Sequence, residues 1–273
     1  MNDDSSTNKP KNVWSLGSYS EFARFALPVS AHLVRLCNIS SPDDRVLDVA
    51  CGTGNTAITA RLITGAKVAG VDFTPELLAL AKEEAFLADV QDIEWKEGNV
   101  EDLPYEDESF DVVLSSFGHM FAPHPEVAIK EMLRVTKIGG RIVFSTWPSE
   151  LINGKLFEAM AKHIPSSPDN STPPPSPMQW GIPEVIQKRL GGSSDNIKDI
   201  HFERGVIGIP ILSPNHYWKM ASTKMGPIIN AIQTLKEPQK VESLRNDILK
   251  AIGPYIHDNV LRLDYLITRA IKD

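Results

Sequence analysis

A glycine-rich turn follows a short apolar run in the segment VLDVACGTGN, residues 46–55. Gly52, Gly54 and Ala57 have the G-x-G-x-x-A spacing of a turn that brings backbone N–H groups close to a ligand. That spacing fits an anionic dinucleotide, and it also fits S-adenosylmethionine, which carries an ammonium, a carboxylate and a sulfonium. Asp48 lies four residues before Gly52, where its carboxylate repels a pyrophosphate and attracts an ammonium. The turn therefore favours S-adenosylmethionine over a dinucleotide.

A second aspartate is spaced for a ribose. Asp72 lies twenty residues after Gly52, at the end of the next apolar run, where a carboxylate can accept hydrogen bonds from both ribose hydroxyls. This holds for either kind of ligand, so Asp72 does not discriminate between them. Each aspartate taken alone could simply cap the helix that follows it. Together with the glycines, the pair indicates a ligand site.

These residues need a scaffold of alternating strands and helices. Apolar runs at 45–50, 67–72, 93–97, 110–116 and 141–147 predict strands, and two further strands are predicted at 197–207 and within VLRLDYLITRAI. Helical patterns at 55–64, 75–88 and 124–137 separate them, and Gly139 or Gly140 is expected to cap the last of these helices. The fold class predicted is α/β: a Rossmann-like, doubly wound sheet of seven mostly parallel strands.

Two helical segments are expected to cover that sheet, an N-terminal one and a late insertion that acts as a lid. The predicted organisation is a disordered tail (1–12), an N-terminal helical lid segment (13–40), the core (41–212) with a Pro-rich surface loop (165–183), the helical lid insertion (213–258) and the last strand (259–273).

Composition restricts the function classes. The net charge of -7 gives no general attraction to nucleic acid, so we expect no nucleic-acid partner. Cys37 and Cys51 form neither a disulfide framework nor a zinc cluster, so we expect a cytoplasmic protein without a bound metal. No apolar run approaches the roughly 20 residues of a membrane span. The oligomeric state is not predicted.

Four segments together resemble the class I S-adenosylmethionine-dependent methyltransferases, especially the ubiquinone/menaquinone biosynthesis branch. They are VLDVACGTGN, VAGVDFTPELLALAK, EGNVEDLPYEDESFDVVLSSFG and EMLRVTKIGGRIVFSTW, and the resemblance covers about residues 45–147. It implies that S-adenosyl-L-methionine is the cofactor. The cofactor-binding residues that it implies are Asp48, Ala50, Gly52, Thr53, Gly54, Asp72, Phe73, Thr74, Leu77, Asn99, Val100 and Ser116.

The methyl acceptor is harder to predict. Tyr19, Phe117 and His119 are the residues expected to face it, and His119, Tyr19, His216 and Tyr217 are candidates for a general base, although none is assigned that role. The fourth strand ends in SSFG instead of the (D/N)PP(Y/F) turn associated with amino methylation, and no cysteine or acidic cluster follows it. We therefore expect methyl transfer to oxygen or carbon of a small organic acceptor.

Two other functions fit parts of this pattern. One is an NAD(P)-dependent oxidoreductase that uses the same glycine turn, and the other is a non-catalytic module that binds S-adenosylmethionine. Asp48 and the segment EGNVEDLP speak against the first. Binding residues alone say nothing about turnover, so the second stays open.

Overall fold

The computed structural model describes residues 13–163, 174–192 and 197–273. The predicted tail, residues 1–12, lies outside these ranges, as do residues 165–173 of the predicted Pro-rich loop.

One mixed sheet forms the centre of the molecule, with the strand order β3-β2-β1-β4-β5-β8-β6 and the short β7 paired to β8. Its strands are β1 Arg45–Val49, β2 Lys67–Asp72, β3 Glu94–Glu97, β4 Phe110–Ser116, β5 Thr136–Thr146, β6 Ile197–Pro210, β7 Ile256–His257 and β8 Val260–Lys272. β1 to β5 are parallel, whereas β8 runs antiparallel to β5 and β6. The predicted sheet of seven mostly parallel strands is confirmed, with the two-residue β7 added.

The strand order reverses between β1 and β4, which are direct neighbours with Leu47 opposite Val113. Both side chains are fully buried, as expected for strands covered by helices on both faces. Open parallel sheets bind ligands beside such a reversal, at the carboxyl ends of the strands. The glycine turn leaves β1 at this point.

Ten helices in the described residues surround the sheet. They are α1 Tyr19–Ala23, α2 Leu27–Leu36, α3 Asn55–Thr64, α4 Pro75–Leu87, α5 Pro125–Val135, α6 Ile152–Ala161, α7 Pro183–Gly191, α8 Pro214–Lys224, α9 Gly226–Leu235 and α10 Pro238–Ile252. Pro28, Pro75, Pro125 and Pro183 each lie in the first turn of a helix, where the missing N–H costs no intrahelical hydrogen bond.

The predicted glycine cap of the helix 124–137 is wrong. α5 ends at Val135, and Thr136 already belongs to β5, which pairs with Phe110. Gly139 has a φ of +76°, but it lies inside β5, where the register against β4 shifts. The chain passes directly from α5 into β5 without a loop, so no glycine caps the helix. The left-handed backbone of Gly139 instead accommodates an irregularity within β5.

The predicted exposed Pro-rich loop is also wrong for its second half. A 3-10 helix covers Pro177–Gly181, and its Trp180 is 1% exposed. The Trp180 ring packs edge-on against Phe144 of β5, with 5.6 Å between the ring centroids. Burial of this large aromatic side chain holds the segment against the sheet.

The N-terminal segment packs against the late insertion. A Cβ added at Gly226 would lie 2.0 Å from the carbonyl oxygen of Val13, so α9 begins in direct contact with the backbone of the N-terminal segment. Lys224 at the end of α8 forms an ion pair with Glu21 of α1. Of the helices in the described residues, none is long and apolar enough to cross a membrane.

Candidate functional site

A cavity of about 360 Å³ opens at the carboxyl ends of β1, β2, β3 and β4. Its walls come from the loops after these strands and from the N-terminal segment. The lining residues are Trp14, Ala23, Ala26, Ser30, Ala50, Cys51, Gly52, Thr53, Asn55, Thr56, Asp72, Phe73, Leu77, Gly98, Asn99, Val100, Ser116, Phe117, Gly118, Phe121, Ala122 and Pro123. A volume of this size is within the range of small-molecule sites.

The glycine turn forms the floor of the cavity beside β1. Ala50 and Gly52 both have left-handed backbones, with φ values of +52° and +55°. A Cβ on Gly52 would meet no atom within 4 Å, so the backbone at this residue borders open space. Gly54 does not line the cavity, because a Cβ there would lie 2.6 Å from the ring of Trp95. The first glycine gives access to a ligand, and the second permits close packing of α3 against β3.

Asp48 lies in the interior beneath the turn and is 1% exposed. Its Oδ2 accepts a hydrogen bond from the backbone N–H of Ala57 at 2.9 Å, whereas its Oδ1 has no hydrogen-bond partner. Burial raises the pKa of this carboxyl well above its usual value, and the charge of Asp72 adds to the shift. A buried carboxylate oxygen without a partner is costly unless a ligand or water satisfies it.

Asp72 ends β2 and lines the cavity. Its Oδ2 accepts from the backbone N–H of Gly52 at 2.8 Å, and its Oδ1 accepts from the backbone N–H of Thr74 at 2.9 Å. The Thr74 side chain also hydrogen-bonds to this carboxylate. Burial raises the pKa of Asp72, and the two backbone hydrogen bonds oppose the shift. The side chain is thus fixed in place between the glycine turn and the start of α4.

The structure brings most of the predicted cofactor residues to one cavity. Those that line it are Ala50, Gly52, Thr53, Asp72, Phe73, Leu77, Asn99, Val100 and Ser116. Asp48, Gly54 and Thr74 lie behind this surface. Asp48 and Thr74 are buried; Asp48 accepts from the backbone N–H of Ala57, and the backbone N–H of Thr74 donates to the Asp72 carboxylate. Phe73 is half exposed and Leu77 is buried, so the two form an apolar side wall next to Asp72.

Three residues were expected to face the acceptor, and one of them, Phe117, lies on the cavity wall. Phe117 has a φ of +62° and stacks on Trp147, with the ring centroids 3.8 Å apart. Tyr19 lies in α1, but its side chain is outside what the structure describes. The expectation for Tyr19 stays a prediction.

The expectation for His119 requires correction. Its side chain is fully buried, does not line the cavity, and packs between Phe144 and Trp180 at centroid distances of 4.7 and 4.8 Å. Neither ring nitrogen has a hydrogen-bond partner. Burial lowers the pKa of His119 to about 3, with the charge of Arg189 adding to the shift. The short 3-10 helix His119–Phe121 turns this side chain inward while it turns Phe121 toward the cavity.

Two further candidates for a general base, Tyr217 and His216, also lie away from the cavity. Tyr217 is buried inside the insertion, where burial raises its pKa and its hydroxyl lies 3.9 Å from the sulfur of Met225. His216 is exposed on α8 and is not a lining residue. The insertion contributes no residue to the cavity lining. The N-terminal segment, which packs against the insertion, lines the cavity instead.

Sequence reasoning missed the second half of the cavity wall. This half consists of Trp14, Ala23, Ala26, Ser30, Asn55, Thr56, Gly118, Phe121, Ala122 and Pro123. The N-terminal segment was predicted to cover the sheet, but its apolar periodicity did not show which of its residues line the cavity. Trp14 and Phe121 meet edge-to-face with 4.7 Å between their centroids, which joins the N-terminal segment to the loop after β4.

The chain has clear relatives among known proteins. A methyltransferase domain model matches residues 47–144. An uncharacterized protein of Mycobacterium tuberculosis is 34% identical over 265 residues, which cover 96% of this chain and 93% of that protein. The demethylmenaquinone methyltransferase of Bacillus mycoides is 38% identical over 104 residues, which cover 37% of this chain and 44% of that enzyme. The structure of a geranyl diphosphate methyltransferase in complex with S-adenosylmethionine superposes with a TM-score of 0.55 at 14% identity, covering 93% of this chain and 88% of the other.

The fold, the cavity at the strand reversal and these matches define the class of the protein. The chain belongs to the class I S-adenosylmethionine-dependent methyltransferases. Its cofactor is S-adenosylmethionine.

Proposed function

We propose that this methyltransferase transfers the methyl group to oxygen or carbon of a small, largely apolar organic acceptor. The observation that carries the proposal is the division of one continuous cavity. One half holds the residues of the cofactor motifs, and the other holds aromatic and small apolar side chains of the N-terminal segment and of the loop after β4.

The first half fits S-adenosylmethionine residue by residue. The buried carboxylate of Asp48, whose Oδ1 has no hydrogen-bond partner, lies beneath the turn, where its charge would attract an ammonium bound above it. The backbone N–H groups at the start of α3 favour a carboxylate, since a helix N-terminus carries partial positive charge. Asp72 can accept from the ribose hydroxyls, and the side wall of Phe73 and Leu77 suits an adenine ring.

The second half determines what the acceptor meets. Ala23, Ala26 and Pro123 give it a shallow apolar surface, and Trp14 and Phe121 close one side. Such walls favour a flat, apolar molecule over one with several charges, because buried charges need partners. Ser30 and Thr56 hydrogen-bond to each other at 2.9 Å, so their polarity is largely satisfied within the wall.

Bound S-adenosylmethionine supplies a methyl carbon activated by a sulfonium, whose C–S electron pair returns to sulfur as the acceptor atom takes the methyl group. The protein has to hold the acceptor in line with that bond and keep water away. Phe117, stacked on Trp147, and the nearby Ser116 form a rigid wall beside β4. Trp14 and the N-terminal segment exclude solvent from the acceptor side.

The experiment that tests the proposal uses labelled S-adenosylmethionine with a panel of quinols, phenols, enols, amines and small acids. Label transferred to oxygen or carbon of an apolar panel member supports it. Transfer only to amines, or only to anionic acids, contradicts the acceptor class while leaving the methyltransferase class intact.

Two binding measurements address the other functions. Calorimetry with S-adenosylhomocysteine should show micromolar-range binding, and NAD should not bind. Binding of S-adenosylhomocysteine with no transfer to any member of a broad panel would favour a non-catalytic module.

A further inference from the structure

The loops after β3 and β4 both line the cavity, and β2 and β1 lie between these two strands in the sheet. The loop after β3 contributes Asn99 and Val100, next to the proposed adenine position. The loop after β4 contributes Phe121 and Pro123, on the acceptor side. The distance between these loops therefore sets the width of the cavity.

One carboxylate connects the two loops. Glu101 directly follows Val100, and its Oε1 accepts a hydrogen bond from the backbone N–H of His124 at 2.6 Å. Its Oε2 lies 2.9 Å from Nδ1 of the same histidine. The Glu101 side chain is only 15% exposed, whereas that of His124 is 71% exposed, so the carboxylate is shielded and the imidazole covers it from outside. Hydrogen bonds to a charged group in such a shielded place are strong.

Besides the contact between Glu101 and His124, each loop has hydrogen bonds of its own, and these differ between the two loops. The loop after β3 has its own anchors: the backbone N–H of Gly98 donates to the carbonyl of Asp72 at 3.0 Å, and that of Leu103 donates to Glu131 at 2.8 Å. The Oδ1 of Asn99 also accepts from the backbone N–H of Glu101 at 3.0 Å. Loss of the Glu101 carboxylate leaves these three hydrogen bonds in place.

The loop after β4 is anchored firmly at its inner end. The backbone N–H of Phe117 donates to Ser145 at 3.1 Å, and that of His119 donates to the hydroxyl of Ser115 at 3.2 Å. At its outer end, Phe121 and Ala122 donate hydrogen bonds only back into the same loop. The carbonyl of His124 accepts from Val127 and Ala128 in α5, and the contact with Glu101 joins this end to the loop after β3. The outer end is the part that lines the acceptor side.

We propose that Glu101 is a positioning residue for the acceptor: by binding His124 through both carboxylate oxygens, it fixes the loop Phe117–His124 at the width that alignment of the acceptor requires. The inference rests on the proposed function, since it assigns a role within that site. Glu101 should therefore affect the alignment of the acceptor and not the binding of the cofactor.

Three variants test it, with an acceptor taken from the panel above. Glu101→Ala should lower kcat/KM for the acceptor on the order of tenfold, because small misplacements of an aligned substrate are costly. The Kd for S-adenosylhomocysteine should change less than about threefold, because the loop after β3 keeps its own anchors. Glu101→Gln should restore most of the activity, since its amide can accept from the His124 N–H and donate to Nδ1 in the tautomer that leaves this nitrogen unprotonated.

Glu126→Ala is the matched control. Glu126 lies in the first turn of α5, so this variant also removes a carboxylate near the same helix N-terminus, but its side chain is 69% exposed and contacts Arg189 instead of the loop. It should leave acceptor and cofactor parameters unchanged. Equal losses in Glu101→Ala and Glu126→Ala would show a general charge effect and overturn the proposal, as would a Glu101→Gln variant as impaired as Glu101→Ala.

Hydrogen exchange separates this inference from the proposed function. In the S-adenosylhomocysteine complex of Glu101→Ala, residues 117–124 should exchange faster than in the wild type, while residues 46–55 stay equally protected. If no panel compound is methylated but this pattern appears, the acceptor class is wrong and the positioning role stands. If exchange is unchanged in 117–124, Glu101 does not hold the loop.

Discussion

The backbone N–H of Gly52 donates a hydrogen bond of 2.8 Å to Oδ2 of Asp72, so the end of β2 holds the turn that follows β1. The two residues are twenty positions apart in sequence and both line the cavity. One carboxylate therefore positions the glycine turn and lines the cavity where the ribose is proposed to bind.

Replacing Asp72 with alanine should weaken S-adenosylhomocysteine binding by roughly 1.5 to 3 kcal/mol or more, because two charge-assisted hydrogen bonds to the ribose are lost. Calorimetry measures the change. Asp43→Ala removes a carboxylate whose side chain is 84% exposed and serves as the control. Unchanged affinity in the Asp72 variant would mean that the ribose binds elsewhere.

Asp48→Asn should separate stability from binding. Burial raises the pKa of Asp48 in the folded protein above its ordinary value of 3.8, so its contribution favours folding at low pH and is lost as the pH rises through the raised pKa. The variant lacks this ionisable group. The difference in free energy of unfolding between variant and wild type should therefore shift in favour of the variant as the pH is raised from acidic to neutral. Urea denaturation of the cofactor-free protein at several pH values measures this gain.

The same variant should bind S-adenosylmethionine more weakly, since an amide does not attract an ammonium as a carboxylate does. A variant whose stability relative to the wild type does not depend on pH would contradict the buried ionisation, and one with unchanged affinity would contradict the ammonium contact.

His119→Leu should retain methyl transfer, because His119 lies in the core and not on the cavity wall. Burial lowers the pKa of His119 from 6.5 to about 3. Below pH 6.5 the histidine of the unfolded chain binds a proton, whereas the buried ring stays neutral, so the wild type loses folding stability as the pH drops. The difference amounts to about 1.4 kcal/mol per pH unit within that window. Denaturation at about pH 6 and about pH 4 should show a smaller acid loss in the variant. Parallel losses in both proteins would argue against a buried neutral histidine.

Cofactor binding should slow hydrogen exchange in Trp14–Phe25 and, through the packing of α9 on that segment, in Asn215–Ile232. Trp14 lines the cavity directly, whereas the insertion acts through its contact with the backbone of Val13. Exchange with and without S-adenosylhomocysteine measures both stretches. If only the glycine turn gains protection, the N-terminal segment is a static wall.

Gly226→Ala should displace the N-terminal segment, because the added methyl would lie 2.0 Å from the backbone oxygen of Val13, which no side-chain rotation can relieve. We expect weaker acceptor turnover and faster exchange in Trp14–Phe25. Gly253→Ala, at a position of the insertion where a Cβ meets nothing within 4 Å, is the control. Equal behaviour of the two variants would show that the contact at Val13 has no role in closing the cavity.

The sequence by itself determined the sheet and much of the proposed cofactor half of the cavity. Gly52 and Asn99 each follow a strand and Asp72 ends one, and the carboxyl ends of parallel strands lie at one edge of the sheet. Residues at those ends therefore come together whatever the rest of the chain does, and local apolar runs were sufficient to locate them.

Only the tertiary structure decided the acceptor half. His119 and Phe121 are two residues apart in one short 3-10 helix, yet one side chain enters the core and the other lines the cavity. The direction of each depends on Trp180 and Trp14, which lie more than fifty residues away in either direction of the chain. Sequence periodicity describes which residues share a face of one element, but it carries no information on which distant side chain fills the space opposite. The contact of Glu101 with His124 was hidden for the same reason, since it joins the loops after β3 and β4, which are separated by two strands in the sheet.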